Sequence, residues 1–409
     1  MLNVCIATTK NLVDGTWVQR DKEILESLGL RVQIIGIDSE IPLLGILKNI
    51  RKYALQFRNC DVVIAWFAFP STILLSKIMG IPIVANAVGY EIAYYPEILY
   101  GLPKNPMVRF IISLALKLAD EVIAISRESL RWAFKWGKKR GFVIYEGIDF
   151  DKYDCSKIQR NGNSPGEPII LTISYLGLTN IVRKDIPTLI KALKEVKKYY
   201  PTVKLYIVGE KMDGYFLLKQ LVQKLDLENN VIFTGKLSHE HLLELLCRAN
   251  LFVMTSYQEG FPTVACEASS AGIPVIVSNR PAMNEVFTDE TAVVVEPGNP
   301  YILAQAIIKT LENKEETIEK ARRAQIIIRQ KYSINIRRKK INNFMIYFFE
   351  KLRINIRGYY KYNIKYVVLF LSLFLAWSPL FVLSSVIFKS FNRFKQKRLI
   401  KYCLTEARL

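Results

Sequence analysis

The sequence predicts two α/β domains, each built on a doubly wound parallel sheet, and three observations lead there. From Ile169 onward apolar strand runs alternate with helical segments. Earlier in the chain, Asp61–Phe67 and Ile81–Val88 are near-continuous apolar runs of the kind buried on both faces of a parallel sheet. Between the two halves lies a polar stretch, Tyr153–Pro168, punctuated by Gly162, Pro165, Gly166 and Pro168, which reads as a linker. The expected division is a domain over 1–152, a linker over 153–168, a domain over 169–345 and a basic tail over 346–409.

Leu2–Ala7 reads as the first strand, followed by a loop over Thr8–Gly15 and a helix through Leu28 that stops at Gly29. Arg31–Ile37 returns as a strand. Leu43–Arg58 sets Leu43, Leu47, Ile50, Ala54 and Phe57 on one helical face with Lys48, Arg51, Lys52 and Arg58 elsewhere. Such a basic amphipathic helix suits an anionic membrane or, equally, its own sheet. After the two apolar runs come Gly89-Tyr90-Glu91, a further strand over Ala119–Ser126, and Phe142–Glu146 leading into Gly147-Ile148-Asp149.

In the second half the expected succession is Ile169–Ile173, helix Asp185–Lys198, Val203–Val208, Val231–Phe233, helix His239–Ala249 and Leu251–Thr255. No G-x-G-x-x-G follows the first of these strands and no G-x-x-x-x-G-K-[ST] occurs, so a standard dinucleotide fingerprint and a P-loop are unsupported. Gly162-x-Ser164-x-Gly166 matches a hydrolase nucleophile pattern by letter, but that motif needs a strand before and a helix after, whereas here a strand follows. His239 and His241 have no further metal ligands nearby in sequence and read as helix-cap or surface residues.

The chemistry concentrates in 256–275. An apolar strand runs into Glu259-Gly260, and Phe261-Pro262-Thr263 opens a helix that closes at Gly272. Val264, Ala268 and Ala271 share one expected face, which packs, and Thr263, Glu267 and Ser270 another, which can look into a cleft. Free N–H groups over Phe261–Val264, at the positive end of a helix dipole, suit an anion such as phosphate. Glu259 and Glu267 flank that point as acceptors, which suits hydroxyls on either side of a diphosphate. Hydroxyl, diphosphate and hydroxyl in succession describe a nucleotide sugar.

This segment resembles the E-x7-E signature of the retaining glycosyltransferases of family four (glycosyl transferases group 1), including Gly260-Phe261-Pro262 and Gly272-x-Pro274-Val275. The resemblance implies a GT-B architecture, with the ligand between two Rossmann-like domains. It also implies that Glu259 holds donor sugar hydroxyls, that Glu267 holds the ribose, and that Arg183 and Lys184 bind the diphosphate. In addition, the backbone of Gly235-Lys236-Leu237 reads the base, Gly15 lies in the loop facing donor phosphate and acceptor, and Glu91 contacts sugar or acceptor. Neither metal nor cofactor is implied, and retention is expected by a front-face displacement. The sequence departs from the family pattern in three places: Asp185 stands where relatives carry glycine, Arg183 adjoins Lys184 directly, and the loop Thr8–Gly15 has one glycine, Gly15, where many relatives have two.

The composition fits an anionic partner. Among 409 residues, 57 Lys and Arg outweigh 37 Asp and Glu for a net charge of +20, while a hydrophobic content of 51% excludes a disordered chain. Scattered cysteines without C-x-x-C suggest a reducing, cytosolic setting, and the amino terminus lacks the pattern of an export signal. Residues 312–351, rich in Arg and Lys with interleaved Ile, Tyr and Phe, resemble family helices that return to the first domain. Nucleic acid is disfavoured as the partner because Tyr366–Phe388 follows, an uncharged apolar run long enough to cross a hydrocarbon core of about 30 Å. Basic residues flank it on both sides and Ser378-Pro379 interrupts it. Two readings stay open, a re-entrant hairpin with both ends cytoplasmic and a plain span. The expected function is transfer of a sugar from a nucleotide sugar to a lipid-linked or glycan acceptor, with the catalytic domains at the cytoplasmic face of a membrane. A nucleotide-sugar epimerase of the same fold and a non-catalytic membrane-docked scaffold are the alternatives.

Overall fold

The computed structural model describes residues 2–37, 52–155 and 167–359. The described chain forms two compact units, one over residues up to Tyr145 completed by the described residues from Arg337 onward, the other over Glu146–Ile336.

The first unit holds a six-stranded parallel sheet in the order β2-β1-β3-β4-β5-β6. These strands are β1 (Asn3–Thr9), β2 (Arg31–Ile37), β3 (Val62–Trp66), β4 (Ile83–Ala87), β5 (Glu121–Ala124) and β6 (Phe142–Val143). Every residue of β3, β4 and β5 is buried, as central strands covered on both faces must be. Local chemistry starts the covering helices. Pro70 opens Pro70–Ile78, Asn105 caps Pro106–Leu118 by accepting the Met107 N–H, and Ser126, at the end of the expected fifth strand, caps Arg127–Lys135 by accepting the Ser129 N–H. The described part of the basic amphipathic stretch, residues 52–57, is helical and buries Tyr53 and Phe57 in this unit's core, while Leu55 is exposed.

The second unit repeats the plan with the order β12-β11-β10-β7-β8-β9. Its strands are β7 (Ile169–Ile173), β8 (Lys204–Val208), β9 (Val231–Gly235), β10 (Leu251–Met254), β11 (Val275–Ser278) and β12 (Val293–Val295). All strand pairs in both sheets are parallel. The alternation read from the sequence is therefore present, with β11 and β12 extending it. Leading into the stretch expected as a linker, residues 150–153 form a short helical turn that contacts the helix Thr263–Ser270 within this unit, and 156–166, which hold the Gly162-x-Ser164-x-Gly166 letters, lie outside the described residues.

The basic residues 312–351 fall mainly in two helices, Lys314–Tyr332 and Ile334–Tyr359. The apolar segment 366–388 lies outside the described residues. Among those described, no helix is long and apolar enough to cross a membrane.

One correction concerns the cysteines. Cys5 is bonded to Cys60 and Cys155 to Cys247, across sequence separations of 55 and 92, and Cys266 is a buried free thiol. Tertiary folding brings these partners together, so the scatter of cysteines along the chain gives no argument for a reducing setting.

Candidate functional site

The carboxyl ends of β7, β8, β9 and β10 are where an open parallel sheet binds ligands, and here backbone bonds tie the first three to one another. The Ser174 N–H donates to Val208 O, the Leu176 N–H to Glu210 O and the Gly209 N–H to Gly235 O. Gly209, at φ +145°, is required by this crowding: a Cβ there would stand 2.0 Å from Ser174 O.

Onto this platform the fold brings Arg183, Lys184, Glu259 and Glu267 together. Arg183 closes the helix Leu178–Arg183, Lys184 follows as its cap, and Asp185 starts the helix Ile186–Tyr199. Arg183 Nη1 lies 2.8 Å from Glu259 Oε2, and Lys184 Nζ lies 4.0 Å from Glu259 Oε1. Arg183 Nη1 also donates to Gln258 O at 2.9 Å, and Lys184 Nζ to Ile173 O at 3.0 Å. A hydroxyl completes the set, since Ser256 Oγ donates to Glu259 Oε1 at 2.9 Å. All three charged side chains are nearly covered, at 12% exposure for each cation and 10% for Glu259.

That burial sets the electrostatics. For Glu259, desolvation pushes the carboxyl upward, but Arg183, Lys184 and the hydrogen bonds from Arg183 and Ser256 outweigh it, holding the group below the ordinary carboxylate range. For Lys184, desolvation prevails and draws the ammonium below the ordinary lysine range, with Glu259 and Glu267 pulling upward and Arg183 downward. Glu267 is therefore within electrostatic reach of Lys184, and its side chain is half-buried.

The helix carrying Glu267 starts at Thr263, with Pro262 in the cap position one residue outside it, and ends at Ser270, with Ala271 as its cap before left-handed Gly272 at φ +76°. Two corrections follow. The Thr263 N–H already donates to Phe261 O at 2.8 Å, so the free N–H groups at this terminus are fewer than the sequence implied. Ser270, expected on the cleft-facing side, is buried: its hydroxyl donates to Glu267 O, and Gln325 of the helix Lys314–Tyr332 donates to its carbonyl. Phe261 is a core residue whose ring packs against Tyr332.

The remaining candidates lie on other elements. Gly235 ends β9 at φ +76°, Lys236 is exposed and Leu237 half-buried. Gly15 caps the helix Thr16–Ser27 in the first unit. Glu91, also in the first unit, is fully buried, and its oxygens accept N–H groups from Val88 at 2.6 Å, Gly89 at 2.9 Å and Ala68 at 3.4 Å. Burial pushes this carboxyl above the ordinary range against the pull of those N–H groups, which belong to its own loop and to the turn at Phe67, whose φ is +61°. The backbone N–H of His241 donates to the capping Ser238 Oγ, and His239 Nε2 meets Lys152 O. Among the described residues no group of three or more His, Cys, Asp or Glu is placed to hold a metal ion.

Sequence reading missed the supports of Glu259. Ser278 Oγ, at the end of β11, donates to Ser256 O at 2.6 Å, and Tyr257 N–H donates to Arg183 O at 2.8 Å. Neither contact has a signature in sequence, because each joins residues brought together only by the sheet.

Residues 156–330 match the family model described as glycosyl transferases group 1. The chain is 28% identical over 270 residues to a glycogen synthase of Mycobacterium tuberculosis, covering 64% of this chain and 63% of that protein. It is 26% identical over 264 residues to an alpha-monoglucosyldiacylglycerol synthase of Streptococcus pneumoniae, covering 60% and 58%. The chain thus spans less than two thirds of the length of these relatives. Among solved structures it resembles Anabaena HepE in complex with UDP and glucose, at a TM-score of 0.69 and 22% identity over 84% of this chain and 99% of that one. A sucrose-phosphate synthase of Thermosynechococcus elongatus aligns with a TM-score of 0.73 and 18% identity, covering 86% and 100%. At these identities the structural likenesses show the fold.

Proposed function

We propose, from the match of residues 156–330 to the glycosyl transferases group 1 family model, that this chain transfers a sugar from a nucleotide-sugar donor to a lipid-linked or glycan acceptor with retention of anomeric configuration. The observation that carries the reading is the carboxylate of Glu259 held against Arg183 and Lys184 at the carboxyl edge of the second sheet. Buried cations at that edge suit a diphosphate, and a preorganised positive charge stabilises the negative charge that builds on a departing nucleoside diphosphate. Glu259 then serves the hydroxyls of the donor sugar and Glu267 those of the ribose. The N–H groups left free at the start of Thr263–Ser270 add a weaker anion contact. No metal is needed in this scheme, because Lys184 and Arg183 supply the charge.

For the acceptor, a net charge of +20 and the apolar segment 366–388 favour work at a membrane face on the cytoplasmic side. Among similar proteins, the name of the pneumococcal relative specifies a diacylglycerol lipid.

The test is incubation of the purified protein with a panel of nucleotide sugars, with and without membrane extract. Sugar transfer dependent on the extract is the expected result. Donor turnover without any acceptor would identify an epimerase, and absence of both turnover and nucleotide binding would identify a non-catalytic scaffold. For the apolar segment, a single cysteine near the carboxyl terminus, in a background otherwise free of cysteine, should be labelled from the cytoplasmic side of sealed vesicles if the segment is re-entrant. Labelling from the opposite side alone would establish a plain span.

A further inference from the structure

Asp185 occupies a position that chemistry assigns to glycine. Its backbone is left-handed, at φ +55° and ψ 34°, and its side chain is fully buried. Glycine would take that conformation without strain and without burying a carboxylate. An aspartate tolerates it better than most residues, yet desolvating its charge is worthwhile only where the oxygens are used. One of them is: Asp185 Oδ2 accepts the Gly298 N–H at 2.7 Å.

That bond closes a ring of contacts around the charged site. Gly298 lies in the loop after β12, and a Cβ on it would stand 2.2 Å from Tyr257 Oη, so this loop packs directly on the one carrying Glu259. Tyr257 in turn donates its N–H to Arg183 O at 2.8 Å, two residues before Asp185. Three loops, 183–185, 256–259 and 296–298, are thereby locked in one arrangement, and the Asp185 carboxylate ties the first of them to the third. The adjoining Lys184 leaves the turn with its ammonium on Ile173 O and facing Glu259.

We propose that Asp185 is a positioning residue: its bond to the Gly298 amide fixes the turn that aims Arg183 and Lys184 at the donor diphosphate. This inference rests on the diphosphate reading given above and adds to it a residue that touches no substrate.

Two variants of the full-length protein separate the tether from the turn. Asp185→Gly keeps the left-handed turn without strain and deletes the tether, whereas Asp185→Asn keeps both an acceptor oxygen and tolerance of the turn. UDP, GDP and ADP are titrated calorimetrically into the wild type, and the tightest binder serves as the probe. Asp185→Gly is expected to bind it about tenfold more weakly or worse, the scale of losing a hydrogen bond to a charged group. Its melting temperature should stay within a few degrees of wild type, and Asp185→Asn should restore affinity to within about threefold. In turnover, the glycine variant should show a raised donor KM with a smaller change in kcat. Amide exchange in the peptide containing Gly298 should speed up in the glycine variant alone, a reading that needs no ligand.

Wild-type affinity in Asp185→Gly, equal weakening in both variants, or unchanged exchange at Gly298 would overturn the tether while leaving the donor site standing. Failure of the wild type to bind any of the three nucleotides would instead remove the diphosphate reading on which the tether depends.

Discussion

Two cations and a hydroxyl converge on the carboxylate of Glu259, and this single residue carries the sharpest expectations. Glu259→Gln should lower kcat/KM at least about 100-fold, the scale on which one preorganised polar group acts in an active site. Wild-type turnover by that variant would contradict the assigned role. The same pair makes a statement about acid. Because the Glu259 pKa is lowered in the fold, its contribution to stability is fully present above the unfolded carboxyl value of about 4.3 and is lost as pH falls through the folded value. The stability difference between wild type and Glu259→Gln, followed by urea denaturation, should therefore be flat near neutrality and shrink only below about pH 4. Lys184 has the opposite consequence. Its lowered pKa means that the charge needed for a diphosphate disappears, as pH rises, before the ordinary lysine value of about 10.4. Nucleotide affinity should fall along that limb in the wild type and hold in Lys184→Arg, whose guanidinium stays protonated. At this scale the sequence was legible by residue type: two acids eight positions apart beside a proline-led helix, and a basic pair before another helix. What could not be read was direction. The side chain of Arg183 turns to Glu259 and Gln258 O, and Glu91 turns to its own loop, because those choices depend on strands far away in sequence.

At the scale of elements, the apolar runs and the alternation of strand and helix were enough to place most strands, since a parallel sheet buried on both faces writes itself as near-continuous apolar residues, broken in β3, β4 and β10 only by the buried Asn86. The face assignment on Thr263–Ser270 succeeded for Ala268 and Ala271 and failed for Ser270, because helix periodicity cannot tell that a third helix covers the serine. A close approach of backbone to backbone is equally invisible in letters. Gly209 is such a place, with Ser174 O where a side chain would begin and a φ that favours glycine. Gly209→Ala should destabilise the protein by about 3 kcal/mol or more, combining an unfavourable backbone with a forced shift of the loop after β7. Chemical denaturation checks this, and a loss below about 1 kcal/mol would show that the strand ends yield easily.

For the whole molecule, the last described helix, Ile334–Tyr359, returns to the unit that the amino terminus began, and Arg337 holds it there. Its side chain is buried, its Nε and Nη2 meet the two oxygens of Asp21 at 2.9 and 2.8 Å, and its Nη1 donates to Ile144 O and Tyr145 O. Asp21 Oδ2 also accepts the indole N–H of Trp66, a fully buried side chain at the end of β3. One arginine late in the chain thus ties together the first helix, a central strand and the end of the first sheet. Nothing in the basic stretch distinguishes Arg337 from its neighbours, since only its partner, more than three hundred positions earlier, makes it different. Removing one member of a buried ion pair strands the other, so Arg337→Met should cost about 3–5 kcal/mol, and Asp21→Ala a similar amount. The double variant leaves no uncompensated charge and should cost clearly less than the sum of the two. Strict additivity in that cycle would show that the returning helix is held by its apolar face alone, through Phe344, Met345 and Phe348, and that the ion pair merely accompanies it.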